Sequence, residues 1–386
     1  MSVPLSLYVH MPWCVRKCPY CDFNSHQRGS TAPPPSYVDA LIADFEHELS
    51  AIGGREIETV FFGGGTPSLF SPDEFARLLE ALRRRARFAA DAEITLEANP
   101  GTVERGRFAG YRDAGINRVS LGAQSFAASA LERLGRIHCA EDTHRAVDEL
   151  HAAGLVNFNL DLMYALPEQT LGEALADVRI ACELRPAHIS HYQLTLEPGT
   201  VFHARPPPLP DEDQAFAMQR DCQALLAEQG FAQYEVSAYA RPGARCRHNL
   251  NYWTFGDYLG VGAGAHGKLT FEAPDDIVRT EKPRQPREYL ERLQATATVL
   301  PAAAWDVRRR VPRGELPFEF MLNALRLKEG FAARDFRERT GLPASVVDPA
   351  LERARERGLI ESTAVGWRPT ELGFRFLNDL QGGFLE

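Results

Sequence analysis

Nowhere in its 386 residues does the sequence carry the roughly 18 consecutive apolar side chains that a membrane-spanning helix needs. The N-terminal stretch MSVPLSLYVHMPW lacks a basic region followed by a long apolar one, so it does not read as a secretory signal. An excess of basic charge is missing as well. The balance is −9, which argues against a general nucleic-acid binder, and the short runs RRRAR (83–87) and RRR (308–310) read as solvated faces. Disorder is excluded by a hydrophobic content of 44%. A full set of cysteine pairs is missing too, because seven is an odd number. Together these absences lead us to expect a cytoplasmic protein, in which clustered cysteines bind metal or do chemistry rather than form disulfides.

Short β-type runs alternate with amphipathic helical patterns. The runs are 5–11, 59–67, 93–100, 118–125, 158–167, 188–196 and 234–240. Val38, Leu41, Ile42, Phe45 and Leu49 mark one helical face, and Ser71 to Glu74 opens another helix with a capping box. Segments 141–153, 170–184 and 211–229 repeat the helical pattern. Strand-helix alternation predicts parallel strands joined by right-handed crossovers. About six units predict an α/β fold, a partial (β/α)6-type barrel with its chemistry at the C-terminal strand ends. The proline-rich pieces 31–36 and 204–210 read as surface loops. After about residue 300 three short helices, a hairpin and a last helix suggest a winged-helix-like α+β domain. The domain division expected from this is 1–240, 241–300 and 301–386, the middle part being a connecting region.

Against that background the stretch HMPWCVRKCPYCDFNS (10–25) stands out. Cys14, Cys18 and Cys21 are spaced C-x3-C-x2-C with no fourth cysteine beside them. A closed zinc site needs four ligands, which would have to recruit His10, His26 or a distant group. A cubane iron-sulfur cluster held by three thiolates keeps one iron open for a substrate or cofactor. Of the other cysteines, Cys139, Cys182, Cys222 and Cys246, most are expected as small core residues.

Two glycine clusters follow. GGGTP (63–67) ends a predicted strand, where glycines let backbone amides approach an anion or simply turn the chain. GVGAGAHG (260–267) contains a G-x-G-x-x-G, but no amphipathic helix follows it, so a tight loop near the barrel mouth is expected and not a dinucleotide site. Glu97, Gln124 and Asp161 end or interrupt apolar strands and suit hydrogen bonds to hydroxyl or ammonium groups. Arg136 suits a carboxylate. In HNLNYW (248–253), His248 stands beside Tyr252 and Trp253, which taken alone reads as a loop histidine next to two buried aromatics.

Taken in order, YVHMPWCVRKCPYCDF, FFGGGTPS, LEANPGT, LGAQSF, LGRIH and NLDLMYALPEQT resemble the oxygen-independent coproporphyrinogen III oxidase-like family of the radical SAM superfamily, over about residues 3–270. The resemblance implies a [4Fe-4S] cluster on Cys14, Cys18 and Cys21. It also implies S-adenosylmethionine contacts from Tyr20, Gly65, Thr66, Gln124, Arg136 and Asp161. Tyr8, Gly64 and Glu97 match positions that touch a second S-adenosylmethionine in the oxidases. The oxidases continue their motif to a fourth cysteine, and here that position is Phe23. Together with HNLNYW, which matches an HNxxYW motif, this resembles the HemW branch, regarded as heme chaperones. The branch implies heme as a ligand, with His248, Asn249, Tyr252 and Trp253 as candidates. It further implies apo-hemoprotein recipients, among them respiratory ones with peripheral membrane contact, and no coproporphyrinogen oxidase activity. The oxidase itself, decarboxylating coproporphyrinogen III, is the alternative. A zinc-stabilised scaffold is a third reading.

Overall fold

The computed structural model describes residues 3–28, 33–101, 106–271, 276–296 and 307–385. Six strands pair side by side, all parallel: β1 (Leu5–Met11), β2 (Ile57–Gly64), β3 (Phe88–Ala98), β4 (Arg118–Gln124), β5 (Phe158–Tyr164) and β6 (His188–Gln193). The helices α1 (Ser36–Ile52), α2 (Pro72–Arg83), α3 (Phe108–Ala114), α4 (Ala140–Ala152), α5 (Leu171–Glu183) and α6 (Glu212–Glu228) follow them in turn. Local chemistry fixes the helix ends. Ser71, Thr170 and Asp211 each accept the backbone N–H three residues on, and Glu74, Glu173 and Gln214 answer back to the cap amide.

The last predicted run, 234–240, departs from the pattern. Only β8 (Ala238–Ala240) forms there, and it runs antiparallel to β6, with β7 (Ala232–Gln233) at its outer side. The chain then returns to the far side of the sheet. After α7 (Arg247–Trp253), β9 (Asp257–Val261) pairs in parallel with β1. β10 (His266–Thr270), β11 (Ile277–Glu281) and β12 (Val307–Arg310) continue antiparallel beyond it. Among the described residues the sheet is therefore twelve strands long, in the order β12-β11-β10-β9-β1-β2-β3-β4-β5-β6-β8-β7. Its two ends do not pair among the described residues, so the barrel is partial, as expected. Segment 241–296 contributes three strands to that sheet, and the boundary expected at 300/301 lies outside the described residues.

The sheet is lined differently on its two faces. Leu7, Val9, Val60, Phe62, Ile94, Leu96, Val119, Leu121, Leu160 and Ile189 are buried in the apolar core that includes the helix residues Leu41, Phe45, Leu78 and Val178. Each such fully buried side chain is worth roughly 1.5–3 kcal/mol. The alternate positions face inward and are mostly polar or aromatic, from Tyr8 and His10 on β1 to His188 and Ser190 on β6. Cys182, Cys222 and Cys246 are buried as expected, but Cys139 is exposed. Its position just before α4 explains the exception: its amide and thiol both donate to the Asp142 carboxylate at the helix start.

The C-terminal part is α+β. Helices α9 (Leu316–Ala324), α10 (Ala333–Thr340) and α11 (Asp348–Glu356) pack with a small sheet of β13 (Phe331–Ala332), β15 (Gly366–Pro369) and β14 (Ile360–Ser362), and two short helices end the chain. This is the expected winged-helix-like arrangement. Its core of Phe320, Met321, Phe336, Leu351 and Leu380 runs on into Phe255 and Ile277, so it is seated on the barrel's extension.

Candidate functional site

The three motif cysteines lie on the loop after β1. Two-residue pairing of Trp13–Cys14 with His26–Gln27 holds the loop ends together. The glycine-rich loop after β2 is laced to it: Gly65 N–H donates to Met11 O and Thr66 N–H to Trp13 O. A side chain at Gly65 would put its Cβ 2.6 Å from Trp13 O, and one at Gly64, where φ is +114°, would stand 2.4 Å from the His10 ring. These glycines are required by close approach, not by turn geometry alone.

Cys14, Cys18 and Cys21 line one cavity of about 140 Å³. Tyr20, Gly64, Gly65, Thr66, Glu97, Gln124, Arg136 and Asp161 line the same cavity, and Tyr8 opens onto the neighbouring one. Burial raises the Cys14 and Cys21 thiols above their ordinary range. Arg136 Nη1 lies 3.7 Å from Cys18 Sγ, while Nη2 donates to Asn99 Oδ1 at 2.5 Å and to Gly122 O at 2.9 Å. Asn99 in turn donates to Thr66 Oγ1 at 2.9 Å. Gln124 sits at φ +67° in a register shift of β4 and accepts from the Tyr192 hydroxyl at 2.8 Å, a strained residue held by its neighbours.

A zinc ion draws its sulfur donors to within about 2.3 Å of one point. Among the described residues no three His, Cys, Asp or Glu side chains converge in that way. The predicted histidine ligands are engaged elsewhere. His10 donates from Nε2 to Asn24 O at 2.8 Å and accepts the Tyr8 hydroxyl at Nδ1, and His26 reaches Arg284 O. A cubane binds each thiolate to a different iron, so three sulfurs spread around one cavity, without a fourth, suit it. The donor set fits a [4Fe-4S] cluster with one open iron better than zinc.

The second cavity, about 800 Å³, fills the barrel, within the roughly 300–1,000 Å³ typical of small-molecule sites. It shares Phe23, Gly64, Glu97, Ser120, Asp161 and Tyr192 with the smaller one, so the two are contiguous. Phe23, in the place of a fourth cysteine, is 61% exposed on this shared rim. His248, Asn249, Tyr252 and Trp253 all line the large cavity, carried on α7 and not on a loop. The Glu93 carboxylate anchors that helix, accepting the N–H groups of Arg247 (3.1 Å) and His248 (3.0 Å). His248 is 1% exposed. Its Nδ1 is 2.7 Å from Thr59 Oγ1, which donates its own proton to Ser6 Oγ, and its Nε2 is 2.9 Å from the Tyr252 hydroxyl. The chain places the ring proton on Nδ1 and leaves Nε2 as the acceptor. Burial lowers His248 to about 3, so the ring is neutral. Tyr8, Phe61 and His248 form a wall of rings 5.0–6.5 Å apart and inclined by 21–36°. Arg326 lies 4.3 Å over Trp253, and with Asn323 it brings the C-terminal domain to the cavity.

Several lining residues escaped the sequence reading, Asn99, Tyr192, Arg118, Ser120, Asn159 and His188, as did Glu93, which anchors α7. Asn99 and Tyr192 stand at C-terminal strand ends, the same signal that marked Glu97. The others occupy inward positions of apolar-looking strands. Ser120, Asn159 and Asp161 bond to one another, with His188 closing on Asn159 Oδ1 at 2.6 Å.

Glu97 is the junction between the cavities. Burial and the neighbouring Asp161 raise it to about 8, against a single opposing bond from Gly64 N–H. Its pKa is higher folded than unfolded. The stability it contributes is therefore complete below the ordinary 4.5 and is lost as pH rises through 8. A sulfonium or ammonium ligand beside it favours the carboxylate and expels the proton below that pH. Titration with S-adenosylmethionine in buffers of different ionisation enthalpy is expected to show proton release near pH 7, absent in Glu97→Gln. Affinity should rise towards pH 8 and then flatten; a pH-independent affinity would contradict this.

A Radical SAM superfamily family model matches residues 8–181, and one for the HemN C-terminal domain matches residues 311–376. Over 383 residues the chain is 49% identical to the heme chaperone HemW of Escherichia coli K12, covering 99% of this chain and 98% of that one. It is 48% identical to the heme chaperone HemW of Haemophilus influenzae, covering 99% and 98%. A bovine protein, radical S-adenosyl methionine domain-containing protein 1, mitochondrial, is 38% identical over 81% of this chain and 70% of its own. Among solved structures, the coproporphyrinogen III oxidase HemN of Escherichia coli matches with a TM-score of 0.82 at 22% identity, over 99% of this chain and 90% of that one. That likeness is one of fold.

Proposed function

The chain belongs to the heme chaperone HemW family of radical SAM proteins, and from that membership we propose that it holds heme in the barrel cavity and delivers it to apo-hemoproteins. One geometric observation supports the site: a neutral histidine whose Nδ1–H is fixed by Thr59 and whose Nε2 lone pair faces a large cavity beside a wall of aromatic rings. A second hydrogen bond that orients one nitrogen while the other ligates is the usual arrangement of a metal-binding histidine. Tyr252 caps that lone pair when no iron is there, so its hydroxyl has to turn away for ligation.

In this proposal Cys14, Cys18 and Cys21 hold a [4Fe-4S] cluster. Arg136 faces a carboxylate and Glu97 an ammonium or sulfonium at the adjoining S-adenosylmethionine site. The cluster and S-adenosylmethionine together supply one-electron chemistry. The chain's own residues orient both ligands and exclude bulk water. Respiratory recipients, a cytoplasmic location and peripheral membrane contact are the finer parts of the proposal. Among the described residues no helix is long and apolar enough to cross a membrane. One observation leaves room for the oxidase reading: Tyr8, Gly64 and Glu97 all line the large cavity, where a second S-adenosylmethionine would lie.

The test is an anaerobic heme titration followed by absorbance, on wild type, His248→Ala and Tyr252→Phe. Wild type should bind one heme per chain with an imidazole-type spectrum. His248→Ala should lose affinity tenfold or more, on the order of the loss of a ligand bond. Tyr252→Phe should bind at least as well as wild type, because its hydroxyl no longer competes for Nε2. A His248→Ala protein that binds like wild type would move the heme away from α7. Multiple turnovers of coproporphyrinogen III with reductant and S-adenosylmethionine would favour the oxidase instead.

A further inference from the structure

Arg118 begins β4 with its side chain turned into the large cavity. It is 2% exposed. Among the described residues its guanidinium makes no hydrogen bond and no ion pair, and its buried Nε is without a partner. An arginine cannot shed its charge, so a buried, unpaired guanidinium costs several kcal/mol unless an anion reaches it. Glu93 and Asp161 act on its charge from nearby but do not bond to it. Both oxygens of Glu93 are taken by the amides that open α7, and Asp161 is bonded to Ser120 and Asn159. Of the other cations of the cavity, Lys268 pairs with Asp257, Arg279 with Glu319 and Arg326 with Glu235, while Arg284 lies outside the strands of the parallel sheet.

We propose that Arg118 is the receptor for a carboxylate of the ligand that fills the large cavity, that is, a carboxylate side chain on a flat aromatic macrocycle. The proposal rests on the heme reading above and deepens it. The Tyr8–Phe61–His248 wall takes the ring face, and Arg118, three strands along the sheet from β1, takes one of the acidic side chains. The same anchor sets specificity, because a ligand without the acid leaves the guanidinium unpaired.

The experiment compares heme with heme dimethyl ester, by absorbance titration, on wild type, Arg118→Gln and Arg118→Lys. A charge-assisted hydrogen bond predicts that wild type prefers the free acid by roughly 10- to 100-fold. Arg118→Gln should bring heme down to the level of the ester and leave the ester unchanged. Arg118→Lys should keep part of the preference, and it decides the matter if the Gln variant does not fold by circular dichroism. Equal binding of acid and ester to wild type overturns the anchor, as does an unchanged preference in the variants. A variant that loses S-adenosylmethionine and keeps heme also overturns it, by assigning the carboxylate to the other ligand. Failure of wild type to bind either porphyrin is a separate result, which removes the heme reading itself.

Discussion

A Cys18→Ala protein is expected to be colourless after anaerobic reconstitution, with iron and sulfide both near background. Only three thiols line the small cavity, so two cannot retain a cubane that the chain already holds by the minimum number of protein ligands. Cys18 is also the thiol beside Arg136, so its loss removes the positive group's partner on that wall. Cys14→Ala and Cys21→Ala should behave alike, and S-adenosylmethionine binding should fall with the cluster. Cys139→Ala supplies the control, because Cys139 stands at an exposed helix start away from the cavity, and its cluster should be full. Phe23→Cys should also leave the cluster content unchanged, since the three existing thiols already suffice. Heme affinity should survive in Cys18→Ala, because α7 lines only the larger cavity. Iron retained at wild-type level in that variant would disprove the assignment of the three cysteines.

The cysteine motif, the glycine loop and the six parallel strands were legible because each is local. Spacing of three thiols, a strand ending in glycines and a capping box at Ser71 are read within a few residues. The hollow barrel is legible too, in the period of its polar residues. Parallel strands covered on both faces are near-continuous apolar runs. Here Glu93, Thr95 and Glu97 on β3, Arg118 and Ser120 on β4, Asn159 and Asp161 on β5, and His188 and Ser190 on β6 recur at every second position. That period marks a polar interior face and predicts a cavity where a filled core would carry valines and leucines. The helix carrying HNLNYW was harder to place, because Glu93, which caps it, lies about 150 residues earlier. Non-local also was the return of the chain to β1 after α7, which makes β9 a neighbour of the first strand. Nothing in a window of a dozen residues encodes such a pairing.

The largest effect on stability is expected at a site with the same non-local character. On α1, Asp44 and Glu48 stand one turn apart, a pattern that on a surface helix is solvated. Both are buried here, and Lys282, just beyond β11, bonds Asp44 Oδ1 at 2.5 Å and Glu48 Oε1 at 2.6 Å. Asp44 Oδ2 also accepts the Tyr289 hydroxyl and Gly262 N–H, so one carboxylate ties α1 to the turn after β9 and to α8 (Pro286–Thr296). Lys282→Met strands two carboxylates in a dry site, which costs about 3–5 kcal/mol. The melting temperature is expected to fall by about 5 °C. The strands nearest that site carry Tyr258, Lys268 and Arg279 to the large cavity, so heme affinity should fall with stability. Adding Asp44→Asn and Glu48→Gln to Lys282→Met removes the stranded charges and should recover most of the loss, although each single carboxamide variant is itself destabilising. Recovery in the triple variant identifies charge burial as the cause. A triple variant as unstable as Lys282→Met would instead mean that the lysine acts through its packing, and that the ion pairs contribute little to holding the β9–β11 extension on the barrel.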